Sequence, residues 1–272
     1  MGRRERSEGR KLSRHTQADR HSQTGRHTQA ADLTQRLSAA VTGLARLHDR
    51  VLVGIDGPDG AGKTTLADRL AEAMRVTTPH TPTMQVSTLQ ASVDGFNRPR
   101  AQRYQRGELS PEGYYLDSFD YPALLAQCLR PFLDGESRVR TTTYDHHSDV
   151  RENVDATAVP AKAVLIIDGV FLLRPELRDL WTLPVYLRLS PEESLRRARR
   201  RDLELFGSNA EVERRYLGRY LPGQALYRER AHPESHAHIL VDNEETGEPR
   251  IERWTVPGVT SPDLVSGLAI ST

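Results

Sequence analysis

Residues 57–64 have types and a spacing suited to binding a chain of phosphates. They read Gly-Pro-Asp-Gly-Ala-Gly-Lys-Thr, and they lie between an apolar run, 51–55, and a helix-forming stretch from Leu66. This is the pattern G-x-x-x-x-G-K-[ST] in its strand–loop–helix context. The glycines let backbone N–H groups approach phosphate oxygens, and the helix N-terminus adds partial positive charge. We therefore predict that this segment binds a nucleoside triphosphate.

Two side chains of this segment have separate expected roles, and we call residues 57–65 the phosphate loop. Lys63 is expected to reach the β- and γ-phosphates, and the Thr64 hydroxyl to hold Mg²⁺. The expected cofactors are therefore ATP and Mg²⁺. The residues expected to bind ATP are Gly57, Pro58, Asp59, Gly60, Ala61, Gly62, Lys63, Thr64 and Thr65.

Two aspartates that follow predicted strands could complete the chemistry. Asp168 ends the apolar run 163–167, where an acid can order Mg²⁺ through a water; a turn or cap aspartate is the alternative. Asp94 ends another predicted strand. There it could accept the proton of an attacking hydroxyl, which is the role of the base in a kinase. A simple Asp-Gly turn at residues 94–95 is the alternative to that role.

Five arginines between residues 196 and 201 could supply positive charge to the same reaction. Members of this run recur four residues apart, on a helix that the capping sequence Ser-Pro-Glu-Glu at 190–193 begins. We predict a lid that closes on the triphosphate. In it, Arg197 would bind ATP and Arg201 would act near the transferring phosphoryl group. A solvated helix face is the alternative.

The elements that must position these residues alternate between strand and helix. Strands are predicted at about 51–55, 84–89, 163–168, 185–189 and 238–241, and helices at about 31–48, 66–74, 122–132, 191–201 and 210–229. This alternation predicts an α/β fold of the P-loop NTPase type, doubly wound around a mainly parallel five-stranded sheet. A small hairpin insertion near 138–144 and the arginine-rich lid complete the prediction.

Composition divides the chain into three predicted parts. Residues 1–30 are basic and have few apolar side chains, so they are predicted to form a disordered arm. Residues 31–243 are predicted to form the P-loop kinase domain. Residues 244–272 lack periodicity and are predicted to form a loose C-terminal tail.

Charge and cysteine content limit which partners and which cellular compartment we expect. The total charge is +1, but residues 1–30 have a surplus of five positive charges, so the rest of the chain is net negative. This makes a nucleic-acid partner unlikely for the main body, and any such role would rest on the arm. No apolar run is long enough for a membrane span. The single cysteine, Cys128, fits a reducing cytoplasm, where we expect the protein; the sequence leaves a homo-oligomer open.

Several motifs occur in the order found in uridine kinases. They are the phosphate loop, Ser92-Val-Asp94-Gly-Phe96, Ser118-Phe119-Asp120-Tyr-Pro122, Tyr144-Asp145-His-His147-Ser, Ile167-Asp168-Gly169 and the segment from Arg196 to Asp202. Over about residues 50–243 the chain resembles the uridine kinase and phosphoribulokinase group of P-loop kinases, in particular short actinobacterial-type uridine kinases. The resemblance implies phosphorylation of a small-molecule alcohol, with the 5′-hydroxyl of uridine or cytidine favoured.

The resemblance also implies roles on the acceptor side. Asp94 would be the base on the ribose 5′-hydroxyl. Asp120 would bind ribose hydroxyls, with a helix N-cap as its alternative. Phe96 and Phe119 would line the acceptor site.

Two further residues would contact the pyrimidine by the same resemblance, namely Tyr144 and His147. Buried hairpin positions are the alternative for both. The chain departs from the family in having Asp168 where Glu is common, and Asn97 where a tyrosine or histidine is common. The departure at Asn97 bears on which phosphate acceptor the site binds.

Two alternatives to uridine phosphorylation stay open at this point. One is a kinase for another alcohol, such as pantothenate, nicotinamide riboside or a sugar-like substrate. The other is a noncatalytic nucleotide-binding regulator that uses its basic arm on nucleic acid. Deletion of residues 1–30 would distinguish these classes, because a kinase would keep its turnover.

Overall fold

The structure, a computed structural model, describes residues 30–77 and 86–258. The predicted disordered arm, the start of the second predicted strand and the end of the predicted tail lie outside these residues. Across the described ranges, no helix combines the length and the apolar composition needed to cross a membrane.

Ten strands occur in the described part of the chain. They are β1 (Arg50–Asp56), β2 (Ser87–Ser92), β3 (Arg138–Val139), β4 (Tyr144–Asp145), β5 (Val150–Arg151), β6 (Thr157–Ala158), β7 (Ala163–Gly169), β8 (Leu183–Arg188), β9 (Ile239–Asp242) and β10 (Arg250–Trp254). Six of them form a central sheet in the order β10-β9-β8-β1-β7-β2. All neighbours in it are parallel except β9 and β10. The predicted mainly parallel α/β sheet is confirmed.

The predicted count of five strands was wrong, because Arg250–Trp254 forms a sixth strand, β10, inside the stretch expected to be a loose tail. This strand pairs only with β9, so it lies at the edge of the sheet. An edge strand tolerates charged side chains, and the Arg-Ile-Glu-Arg-Trp sequence of β10 therefore lacks the apolar run by which buried strands are recognised.

The helices cover both faces of this sheet. They are α1 (30–47), α2 (Lys63–Thr77), α3 (Arg100–Arg103), α4 (Pro111–Asp117), α5 (Tyr121–Leu124), α6 (Arg130–Leu133), α7 (Pro191–Arg201), α8 (Leu203–Phe206), α9 (Asn209–Arg215), α10 (Leu221–Ala231) and α11 (Pro233–His236). Wider π-helical turns join α5 to α6 and α9 to α10. The two longer helices predicted in these regions are thus continuous, and each is locally underwound at its π-helical turn.

Alternate residues of β1 belong to the two apolar layers. Val51 and Val53 pack with α1 and α2 on one face, whereas Leu52 packs in the opposite layer. Residues 164–167 of β7 have no accessible surface. Such burial on both faces explains why this strand reads as a continuous apolar run.

The predicted hairpin insertion consists of two short antiparallel ribbons, β3 with β6 and β4 with β5. The predicted strand at 138–144 is therefore split. Thr143 donates a backbone hydrogen bond to the carbonyl oxygen of Gly95 at 2.8 Å. This bond holds the insertion against the turn that carries Asp94.

Candidate active site

The phosphate loop connects the C-terminal end of β1 to the first residue of α2, Lys63. At Gly57 the φ angle is 152°, and a Cβ atom would lie 2.5 Å from the carbonyl oxygen of Leu187. Only glycine fits so close to β8 in that conformation. Lys63 Nζ donates to the carbonyl oxygen of Pro58 at 2.8 Å, so its ammonium group lies over the loop.

The two predicted magnesium residues are in direct contact. The Thr64 hydroxyl donates to Asp168 Oδ2 at 2.6 Å. Burial raises the pKa of Asp168, and the hydrogen bond from Thr64 and the charge of Lys63 oppose that rise. A bound cation would favour the ionised carboxylate. The residues present fit Mg²⁺, because hydroxyl and carboxylate oxygens are ligands it prefers, and phosphate oxygens and water would supply the rest.

Asp94 lies near this pair because β2 and β7 are neighbours in the sheet. Ser92, the last residue of β2, is in register with Asp168, and its hydroxyl accepts from the Asp94 backbone N–H at 3.3 Å. The Asp94 carboxylate is exposed, and its negative charge further raises the pKa of Asp168. A Cβ atom on Gly169 would lie 2.2 Å from Val93 Cγ1. Glycine there lets the turn bearing Asp94 pack against the end of β7.

The insertion brings His146 close enough to Asp94 for their charges to interact. Burial lowers the pKa of His146, and the charge of Asp94 opposes this shift. The side chain of His147 is exposed and stacks on His146, with ring centroids 4.0 Å apart. Tyr144 is buried and donates its hydroxyl to Asp149 Oδ1 at 2.8 Å. The roles of Tyr144 and His147 stay predictions.

The other residues predicted to bind the phosphate acceptor have structural roles in this conformation. Asp120 Oδ1 accepts from the backbone N–H of Ala123 at 3.0 Å, so Asp120 is the N-cap of α5. Its Oδ2 has no hydrogen bond among the described residues. Phe96 has no accessible surface, and Phe119 is buried in the same apolar layer. Contact of either ring with an acceptor would require a local movement, and these roles stay predictions.

The arginine-rich helix α7 carries its own counterions. Arg197 donates to Glu193 Oε1 at 2.6 Å, to the Gly60 carbonyl oxygen at 3.0 Å and to the Asn243 carbonyl oxygen at 2.7 Å. Arg197 therefore ties the phosphate loop to the segment after β9. Arg201 contacts the Asp202 carboxylate at 2.6 Å and 3.0 Å. Glu193 and Asp202 thus compensate Arg197 and Arg201 without a bound triphosphate, and the role of this helix as a lid stays a prediction.

A cavity of about 400 Å³ lies beside the phosphate loop. Gly62, Thr65 and Arg197 line it, so three of the residues predicted to bind ATP share one wall. Asn243 lies on the same wall and donates its side-chain amide to the Ala61 carbonyl oxygen at 2.7 Å. Helix α1 contributes Leu33 to this lining. The volume suits the base and sugar of a nucleotide.

Sequence reasoning missed a buried acid directly before the phosphate loop. Asp56 has no accessible surface and accepts from the backbone N–H groups of Gly57 at 2.6 Å and Leu173 at 2.9 Å, and from the Tyr227 hydroxyl. Burial raises the pKa of Asp56 to about 6, against the effect of these hydrogen bonds. The signal available in the sequence was an acid at the end of an otherwise apolar strand.

A second missed feature is the network around Asp59. Its carboxylate accepts from the Tyr114 hydroxyl at 2.9 Å and from the Gln224 side-chain amide at 2.7 Å. Its carbonyl oxygen accepts from the Ser194 hydroxyl at 2.6 Å. The phosphate loop is therefore linked to α4, α7 and α10. No local pattern in the sequence indicates these partners.

Comparisons with known sequences agree with this geometry. A family model described as an AAA domain matches residues 53–217, more than half of the chain. The chain is 28% identical to a uridine kinase from Lactobacillus helveticus over 181 residues, which are 66% of this chain and 81% of that protein. It is 26% identical to uridine-cytidine kinase 2-B from Danio rerio over 172 residues, which are 59% of this chain and 60% of that protein.

Comparisons with solved structures support the fold. A possible uridine kinase from Bacillus stearothermophilus has a TM-score of 0.56 and 24% identity, covering 75% of this chain and 97% of that chain. A candidate fructose transport system kinase from Silicibacter has a TM-score of 0.54 and 21% identity, covering 71% of this chain and 95% of that chain. The predicted P-loop kinase fold is confirmed.

Proposed function

Because the chain belongs to the AAA domain family and is similar to uridine kinases, we propose that it phosphorylates the 5′-hydroxyl of uridine or cytidine with Mg²⁺ and ATP. One observation carries the proposal. The Thr64 hydroxyl and the Asp168 carboxylate meet at 2.6 Å, and the charge of Asp94, at the end of the neighbouring strand, acts on the same carboxylate. A kinase needs this combination of a metal-holding pair and a separate exposed acid.

In the proposed reaction, Asp94 accepts the proton of the hydroxyl whose oxygen attacks the γ-phosphorus. The bond from that phosphorus to the bridging oxygen breaks, and ADP leaves. Lys63 and Arg201 neutralise charge on the transferring group, which requires Arg201 to exchange part of its pairing with Asp202. Thr64 and Asp168 would hold Mg²⁺, whose charge stabilises the phosphate oxygens when it is bound.

The acceptor would lie between the turn bearing Asp94 and the hairpin insertion. We propose Asp120 Oδ2 for the ribose hydroxyls, since this oxygen has no bond among the described residues. Tyr144 and His147 are proposed to contact the pyrimidine. His146, which interacts with the charge of Asp94, is a further candidate for that contact. Small movements of Phe96 and Phe119 would complete the wall.

The acceptor is tested by measuring ADP release with uridine, cytidine, pantothenate, nicotinamide riboside and fructose. Reactions without acceptor measure hydrolysis of ATP by water. Uridine or cytidine should raise ADP release well above this background and yield the 5′-monophosphate. If only a non-nucleoside raises it, the uridine assignment is wrong although the kinase assignment stands. A chain lacking residues 1–30 should retain the turnover, whereas a regulator acting through that arm would show none.

A further inference from the structure

A second cavity lies at the end of the sheet opposite the phosphate loop. Its volume is about 540 Å³, and its lining comes from the segments that begin β8 and β9 and end β10. The phosphate loop, in contrast, follows the C-terminal end of β1, and β1 runs parallel to β8. This cavity therefore shares no wall with the proposed nucleotide and acceptor sites.

The lining of this cavity is basic. It includes Arg178, Arg253, His236 and His238, and Asp179 is the one acid among its described lining residues. The Asp179 side chain is 89% exposed, and its nearest carboxylate oxygen is 3.9 Å from Arg178 Nε, too far for a hydrogen bond. The positive charge of the two arginines is thus only partly compensated.

Two nitrogens of this lining are buried without a hydrogen-bond partner among the described residues. They are Nε of Arg178 and Nδ1 of His238. Buried polar atoms in folded proteins are nearly always paired, so these two nitrogens lack the partner that such atoms usually have. Both lie below the accessible surface, so a ligand in the cavity would contact the accessible parts of the two side chains and would reach Nε or Nδ1 only after a small movement. Arg178 Nη1 is already engaged, because it lies 3.1 Å from His236 Nε2. Since arginine can only donate, this His236 nitrogen is the acceptor.

The second arginine is held in place by backbone carbonyls. Arg253 Nη1 donates to the carbonyl oxygens of Glu234 at 2.5 Å and Ala237 at 3.3 Å. Its Nη2 and Nε have no hydrogen bond among the described residues. A guanidinium group fixed in this way loses little side-chain entropy when a ligand binds it.

We propose that this cavity is a binding site for a small phosphomonoester. Its phosphate oxygens would accept hydrogen bonds from Arg178 and Arg253, whose planar guanidinium groups match the geometry of phosphate, and from His238. The volume falls within the range of about 300–1,000 Å³ that small-molecule sites occupy, and it is far larger than a single ion needs.

The remaining walls would contact the organic part of the ligand. Trp181, Pro184 and Ala237 lie in the lining beside the basic groups, and each is largely buried. Trp181 is also held rigidly, since its indole N–H donates to the carbonyl oxygen of Leu172 at 2.9 Å. A phosphate on a small polar body such as a sugar fits this basic and mostly polar lining.

The test is a titration of the full chain with ribose 5-phosphate, followed by calorimetry and by tryptophan fluorescence. Trp181 is one of only two tryptophans, so a Trp181→Phe variant identifies its signal. The phosphate loop could also bind the probe, and the titration is therefore repeated with Lys63→Ala. We expect a saturable site that survives Lys63→Ala. Arg178→Gln and His238→Gln should each weaken this site about tenfold or more.

An exposed arginine of the same edge strand gives the matched control, because Arg250→Gln should leave the affinity unchanged. Thermal unfolding of each variant verifies that it is folded. Loss of all binding in Lys63→Ala would overturn the proposal, as would binding that neither Arg178→Gln nor His238→Gln weakens. Inorganic phosphate that binds as tightly as ribose 5-phosphate would overturn the phosphomonoester assignment. Kinase turnover is measured separately, so its absence would not affect this result.

Discussion

Replacing Asp56 with asparagine should change how the stability of the protein depends on pH. Asp56 is fully buried at the end of β1, and burial raises its pKa from 3.8 to about 6. The hydrogen bonds from Tyr227, Leu173 and Gly57 favour the charged form, but they do not offset the loss of water. The ionised carboxylate is therefore less stable in the folded protein than in the unfolded chain.

The sign of the effect follows from proton binding. Because the folded-state pKa is the higher one, the folded protein binds more protons between pH 3.8 and about pH 6. The stability contributed by Asp56 is fully present below this window and is lost as the pH rises through about 6. A shift of about 2 pKa units corresponds to about 3 kcal/mol in the free energy of unfolding.

Urea unfolding of the wild type and Asp56→Asn, measured from about pH 4 to pH 7, tests this magnitude. Relative to the variant, the wild type should lose about 2 to 2.5 kcal/mol across the range, because at pH 4 Asp56 of the unfolded chain is already partly ionised. The hydrogen bonds that Asp56→Asn loses offset its curve of unfolding free energy against pH from the wild-type curve by a constant. The test therefore compares only the slopes of the two curves. The exposed Asp134 provides the control, because Asp134→Asn should leave the slope unchanged. Parallel curves for the wild type and Asp56→Asn would refute the reasoning.

Three further predictions concern the proposed reaction. Asp94→Asn should retain ATP affinity but lower kcat about 10²–10⁴-fold, since it removes the proton acceptor. The control Asp134→Asn should leave kcat unchanged. Equal kcat values for the wild type and Asp94→Asn in steady-state assays would remove Asp94 from this role. Thr64→Ala should raise the Mg²⁺ concentration needed for half-maximal turnover, because the hydroxyl at 2.6 Å from Asp168 Oδ2 is lost; an unchanged magnesium titration would argue against the pair as the metal site. Gly169→Ala should lower the free energy of unfolding by about 1–3 kcal/mol, because its Cβ would lie 2.2 Å from Val93 Cγ1; an unchanged urea midpoint would show that the turn before Asp94 can shift.

The sequence was sufficient for features that depend on local pattern. The phosphate loop, the buried strand ending at Asp168 and the capped start of α7 all lie where spacing and residue type predict them. The proximity of Asp94 to Asp168 could also be anticipated, because parallel neighbouring strands end at the same edge of a sheet. Edge strand β10 was missed because pairing on one side does not require apolar residues.

The positions of His146 and His147 could not be predicted from the alternation of side chains along a strand. Strand β4 ends at Asp145, and both histidines lie in the turn before β5, where the two-residue period of an extended strand does not hold. Their rings stack with centroids 4.0 Å apart, a contact that no local pattern in the sequence indicates. The role of His147 stays a prediction.

Asp59 shows what sequence cannot supply, since its partners are 55 and 165 residues away. A carboxylate in a phosphate loop would repel a triphosphate if it faced the phosphates. Here the side chain is bonded to Tyr114 and Gln224, and burial together with the Asp59 charge raises the pKa of Tyr114, which therefore stays a donor. The backbone N–H groups of the loop can then bind the triphosphate, while the Asp59 side chain holds the loop against α4 and α10. Asp59, which we expected only to bind ATP, thus also links the phosphate loop to helices α4 and α10.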